Sequence, residues 1–280
     1  MKQYLSFTKR CLLLIAPAIA SSMLATSPSQ AATFAFSQGV LEFTGFSQSP
    51  SSVGTGTRTN TLTIARDGMA NALANAAATF IVAPPTASNL SLSVARGEGR
   101  DYLGLAESEA TVIGNFVVDA GKSFSFDFNA NLNLQSAVDN PLAENARATG
   151  DISWALIAND TIIDSFSLMG TLITPGDSDF IVAEESGNVT LSNSLPNFSF
   201  GGNQEFATAS VQGSLQRSFA NQTTLTLVEL KKNRATVKAP EPSTSLALLF
   251  SCGVIGVALK GRRKEKTSAC SLEGNVAAEV

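Results

Sequence analysis

Histidine is absent from all 280 residues of the chain. That absence excludes a Ser-His-Asp triad, a Cys-His dyad and any His-ligated zinc or copper site. Cysteine is nearly as scarce: the thiols are Cys11, Cys252 and Cys270, so residues 32–239 hold none and cannot form an internal disulfide. No G-x-S-x-G elbow and no glycine-rich phosphate loop in a strand-to-helix context occurs. The hydrolytic chemistries left are a carboxylate pair acting on glycosides and a Ser-Lys hydrolase. Positive charge is the third shortage. Residues 32–230 carry seven Arg or Lys against nineteen Asp or Glu, a net −12. So acidic a segment repels phosphate backbones, which argues against nucleic acid as a partner.

The ends of the chain are patterned differently. Lys2, Lys9 and Arg10 precede an uncharged, largely apolar run over residues 11–20, and a polar stretch then leads to Ser29 and Ala31 at the −3 and −1 places of a cleavage site. This is the order of a secretory signal peptide, predicted to span residues 1–31 with the cut after Ala31. Pro17 interrupts the apolar run, which is too short to span a bilayer. Thr8, Lys9 and Arg10 before Cys11 are not the small, apolar residues of a lipoprotein context.

At the other end Pro240, Glu241 and Pro242 precede an apolar run over residues 246–259, then Lys260, Arg262, Arg263, Lys264 and Lys266. The two prolines hold the backbone extended and out of a helix, in the form a protease accepts. An apolar run of this length reaches only about 21 Å as a helix, short of a hydrocarbon core of about 30 Å. The basic cluster stays cytoplasmic by the positive-inside rule. Residues 240–266 resemble the PEP-CTERM sorting signal. The resemblance implies an exosortase-type membrane protease as partner, with Pro240, Glu241 and Pro242 as its recognition residues. It also implies anchoring through the C-terminal hydrophobic helix, followed by release to the cell envelope or outside. Family tails stop soon after the basic cluster, whereas this chain continues through residues 267–280 as a cytoplasmic extension. The bland alternative is a permanent single-pass anchor.

Between the ends, residues 123–134 alternate Phe124, Phe126, Phe128, Ala130, Leu132 and Leu134 with polar partners. Period two over this length predicts one extended strand with a buried and a wet face. Ile152, Trp154 and Leu156 repeat the pattern, Asn159 and Asp160 break it, and residues 162–173 resume it, which predicts a hairpin with Trp154 in the core. Further strands are expected near residues 33–36, 40–43, 59–65, 90–94, 109–113, 188–191, 206–219 and 223–230. The alanine-rich stretch 69–82 favours helix by intrinsic propensity, but its strand-like neighbours and β-branched end point to strand. The fold expectation is therefore an all-β domain over residues 32–230, an antiparallel β-sandwich with a jelly-roll-like topology, followed by a basic linker at 231–239.

Candidate sites are few. Asp177 and Asp179 form a compact D-x-D loop after Pro175 and Gly176, the sequence's best calcium candidate because hard cations take oxygen ligands. Asp139, Glu144 and Asp151 make a looser acidic set. Solvated acids that keep the protein soluble are the plain alternative for both. Tyr102, in the turn-rich context of residues 97–101, is the candidate exposed aromatic for stacking on a sugar. Two functions from different classes follow. One is a non-enzymatic envelope or extracellular-matrix protein associated with exopolysaccharide; the other is a secreted carboxylate-dependent glycoside hydrolase acting on matrix polysaccharide.

Overall fold

The computed structural model describes residues 32–239. The segments expected to be a signal peptide and a C-terminal hydrophobic helix, the Pro-Glu-Pro motif and the extension at 267–280 lie outside the described residues. Ten antiparallel strands and no helix make up the described chain: β1 (Ala32–Thr44), β2 (Ser52–Val82), β3 (Pro85–Val118), β4 (Lys122–Ala137), β5 (Asn145–Ala158), β6 (Thr161–Thr174), β7 (Phe180–Glu185), β8 (Val189–Ser199), β9 (Gln204–Phe219) and β10 (Thr223–Ala239). None of these is a helix long and apolar enough to cross a membrane.

The organising element is the β2–β3 hairpin. Val82 pairs with Pro85 at its tight end and Ser52 with Asn115 at its open end. β2 occupies one edge of β3 for nearly its whole length. The other edge is shared: β1 takes Ala87 to Glu98, and β10 takes Tyr102 to Val118. Two wings diverge from that split, one ordered β1-β4-β9-β8 and the other β10-β5-β6-β7. The divergence sits at Gly99 and Asp101, both with positive φ, and Gly68 opposite has no room for a side chain, since a Cβ there would lie 2.2 Å from the Glu98 carbonyl oxygen. Bent at this point, the sheet is nearly closed and barrel-like, with β1 and β4 lying against β5, β6 and β10 across the interior.

The interior is filled by the period-two residues. Phe124, Phe126 and Phe128 of β4 meet Phe43, Phe46, Phe116, Trp154 and Phe166, with ring centroids 4.7–5.5 Å apart in the closest pairs. Such offset and edge-on pairs add to the area burial of the rings. Trp154 is core, as its phase with Ile152 and Leu156 indicates. The alanine-rich stretch is strand: Ala70, Ala72, Ala74, Ala76 and Ala78 are the half-buried positions of β2, alternating with exposed ones, and pairing with β3 overrides helical propensity.

One boundary needs correction. Residues 231–239 are not a linker but the second half of β10, paired with β3 and β5 on both sides. The inward positions of β10 run Leu225, Leu227, Glu229, Lys231, Asn233, Ala235, Val237 and Ala239, all buried. Three polar residues in the middle of that row hide the apolar period.

Candidate functional site

The wet face of β4 forms the floor of a groove of about 580 Å³ on the outside of the β1-β4-β9-β8 wing. Strand register sets its chemistry. Glu42, Asn129 and Gln212 make one row across β1, β4 and β9; Val40, Asn131 and Ser210 make the next; Gln38, Asn133 and Thr208 make the third. Neighbouring strands stand about 4.8 Å apart and same-face residues about 6.8 Å apart along a strand. The amides are held upright by one another: Asn131 Nδ2 donates to Asn129 Oδ1 at 3.3 Å, and Gln135 Nε2 donates to Asn133 Oδ1 at 3.5 Å. Leu90, Ala77 and the exposed Leu195 give the groove apolar walls. A planar set of donors and acceptors, uncharged apart from Glu42, between apolar walls is suited to a hydroxyl-rich ligand.

The opposite wing carries a groove of similar size, about 590 Å³, with a different character. Its residues alternate in charge across the strands: Arg58, Glu109, Lys232 and Asp151 in one row, Asn60, Glu107, Arg234 and Thr149 in the next. Lys232 Nζ lies 3.8 Å from Glu109 Oε2, and Arg234 Nε lies 3.5 Å from Glu107 Oε1. These pairs are half-exposed, and cross-strand charge pairs of that kind contribute less than about 1 kcal/mol each. Asp151 differs from the others. Its Oδ1 is buried with no hydrogen-bond partner, and burial pushes its carboxyl up against the pull of Lys232 and the Ser153 hydroxyl.

The residues singled out from sequence fall elsewhere. Tyr102 does not present its ring to solvent: it is 2% exposed, packed with Ala35, Ala95 and Val237, and its hydroxyl bonds Thr33 Oγ1 and donates to Glu144 Oε1 at 3.5 Å. Residues 97–101 are not a turn but part of β3, and the ring lies inward over Gly97, where a Cβ would lie 2.0 Å from the ring. Asp179 Oδ1 accepts the Ile173 N–H at 2.8 Å and so braces its own loop. Among the described residues no group of three or more acidic, thiol or imidazole side chains is placed to hold a metal ion, at Asp177 and Asp179 or elsewhere. The looser acidic set is not one site. Asp139 Oδ2 accepts the Ala32 N–H at 2.7 Å, Glu144 Oε2 accepts the N–H groups of Asp139 and Asn140 at 2.9 Å each, and Asp151 belongs to the charged groove.

Sequence reasoning missed the buried polar row of β10. Glu229 and Lys231 are both 0% exposed, and Asn233 is 2% exposed. Ser91 Oγ donates to Asn233 Oδ1, Asn233 Nδ2 donates to Ser37 Oγ, and Ser37 Oγ donates to the Thr149 carbonyl at 2.7 Å. This belt separates the aromatic cluster from the smaller cluster around Tyr102. The available signal was the parity of β10, since Glu229, Lys231 and Asn233 share the phase of Leu225 and Leu227.

No protein-family model matches the chain, and no curated protein matches it. Among solved structures, the translocator domain of the autotransporter NalP from Neisseria meningitidis aligns at 13% identity over 83% of this chain and 96% of that one, with a TM-score of 0.17. A likeness at that level carries no argument about fold or activity.

Proposed function

We propose that this is an exported, non-enzymatic protein of the cell envelope or extracellular matrix that associates with exopolysaccharide through the amide-lined groove on β4. The observation that carries the reading is the array of Asn129, Asn131 and Asn133 between Gln38 and Thr208, uncharged apart from Glu42. A signal peptide delivers the chain, and the PEP-CTERM-like tail with Pro240, Glu241 and Pro242 brings it to an exosortase-type protease at the membrane. In this reading the two wings act as the leaves of a β-sandwich, each exposing one outer face.

The test is affinity electrophoresis of the exported protein in gels loaded with neutral envelope polysaccharide. Retardation is expected, and Asn131→Leu with Asn133→Leu should weaken it about tenfold, the scale of one or two lost hydrogen bonds, without moving the urea midpoint. No retardation of a folded wild-type protein by any envelope polysaccharide would overturn the reading.

A second reading, a secreted carboxylate-dependent glycoside hydrolase, draws on the charged groove. Glu109 and Asp151 stand on the same face two strands apart, about 10 Å between backbones, and Asp151 is held toward its neutral form by burial. Lys232 stands between them, where a water or sugar carbon would have to sit. Release of reducing ends from matrix polysaccharide, lost in Asp151→Asn, would favour this reading over the first.

A further inference from the structure

Lys231 has all of its length inside the protein. Gly39 of β1 makes the space: a Cβ at that position would lie 2.8 Å from Lys231 Cδ and 2.9 Å from Asn233 Oδ1. The amine ends on Asn89 of β3, donating to the Asn89 main-chain carbonyl at 3.0 Å and to Asn89 Oδ1. The other side of the same amide faces Glu229, with Asn89 Nδ2 donating to Glu229 Oε2. Glu229 Oε1 lies 3.9 Å from Lys231 Nζ and has no hydrogen-bond partner. Amine, carboxamide and carboxyl are thus in mutual contact, and all three residues are buried.

From this geometry we propose that Lys231 and Asn89 join covalently, through an intramolecular amide between Lys231 Nζ and Asn89 Cγ, with Glu229 carrying the proton. Contact with Oδ1 puts the amine nitrogen beside the carbonyl carbon it would attack. The neutral amine adds to Cγ through its lone pair, and the C=O electron pair moves onto Oδ1. A proton leaves Nζ for Glu229 Oε1, the carboxyl oxygen that lacks a partner. Glu229 starts as the neutral carboxyl with its proton on Oε2 and gives that proton to Nδ2, whose lone pair is free once Cγ is tetrahedral, so the carboxyl ends with the one proton it took up at Oε1. The C=O bond re-forms as the Cγ–Nδ2 bond breaks, and ammonia departs. One C–N bond is made, one is broken, and no oxidant or reductant is required.

Protonation favours the reacting forms. Burial pushes the Glu229 carboxyl up and the Lys231 ammonium down, in each case against their mutual attraction. Burial in low dielectric disfavours both charges, so an uncharged amine facing an uncharged carboxyl gains population near neutral pH. The charged groups acting on the site are few: Glu229 from β10 itself and Glu42 from β1, with Asn89 of β3 bonding to both partners. The bond would tie β10 in one wing to the N-terminal half of β3 beside the other, across 142 residues of chain. It supplies the cross-link that a domain without cysteine otherwise lacks.

The experiment is a tryptic map and intact mass of the full chain, isolated after export and denatured before analysis. The expected product is a branched peptide joining residues 67–96 to residues 218–232, because an acylated Lys231 is no longer a cleavage site, and a mass lower by one ammonia. Glu229→Gln should slow the branching about a hundredfold, the scale of lost proton transfer. Linear peptides 67–96 and 218–231 from wild-type protein held folded at neutral pH would overturn the proposal, as would ammonia loss without a branch. A branch in Glu229→Gln at the wild-type rate would overturn the role given to Glu229.

Discussion

Phe126 and Asn129 stand three residues apart on β4 and answer to opposite solvents. Phe126 is 1% exposed and touches Phe43, Phe46, Phe124 and Trp154, whereas Asn129 faces the outer groove. Phe126→Asp should therefore cost about 3–5 kcal/mol, from an unpaired carboxylate in an aromatic core, while Asn129→Asp should change stability by less than about 1 kcal/mol. Equal urea midpoints for the two variants would contradict the face assignment. Tyr102 offers a second check, because the chain's only other tyrosine is Tyr4. Burial pushes the Tyr102 phenol up to about 12, with Glu144 and Asp139 adding to the rise and the Thr33 bond opposing it. A folded pKa above the unfolded value of about 10 means that the folded state holds its proton longer. The associated stability is complete below pH ~10 and is lost as pH rises toward 12. Alkaline titration followed by phenolate absorbance should show Tyr102 ionising only with unfolding. Tyr102→Phe should flatten that part of the stability profile.

Strands were legible where one face was purely apolar. β4 and the β5–β6 hairpin could be read from Phe124 to Leu134 and from Ile152 to Ile173, with Asn159 and Asp160 at positive φ supplying the turn. β10 was legible only to Leu230, because Glu229, Lys231 and Asn233 fill inward positions with polar groups and period-two reasoning discards them. The candidate site was legible in half: the asparagines of β4 were expected to be wet, but only register places Gln38 and Thr208 beside them. Tyr102 was misplaced because a turn-rich neighbourhood implies exposure, whereas Gly97 leaves room for the ring to turn inward. These differences make the end of β10 a sharp test. A chain ending at Leu230 loses the pairs from Lys231 to Ala239 with both neighbours and uncovers β3 and β5. Residues 32–239 should give a cooperative, β-rich unfolding transition unaffected by reductant, and residues 32–230 should give none, as followed by circular dichroism.

At the scale of the molecule, the tail and the folded unit make separable contributions. Changing Pro240, Glu241 and Pro242 together to alanine should leave the β-domain intact. It should also let the apolar helix extend upward, hide the extended backbone and keep the chain in the membrane. An epitope placed after Lys266 should then persist in the variant and be lost from wild type in cells that contain an exosortase. Persistence in both would identify the tail as a permanent anchor.

The shared edge of β3 also decides how the domain would bear load. Ala32 pairs with Glu98 and Ala239 with Tyr102, so the two ends of the folded unit emerge beside each other at the bend of β3. If the tail holds the chain at the membrane, Ala32 stays near the membrane as well, and the turns around Gly121 and Asn221 form the opposite tip. Tension from the tail enters at Ala239 along the axis of β10, and the hydrogen bonds to β3 and β5 resist it side by side in shear rather than one at a time. With Lys231 bonded to Asn89, that force would stop eight residues in and pass into β3. The domain would then behave as an inextensible link, with only residues 232–239 free to pay out.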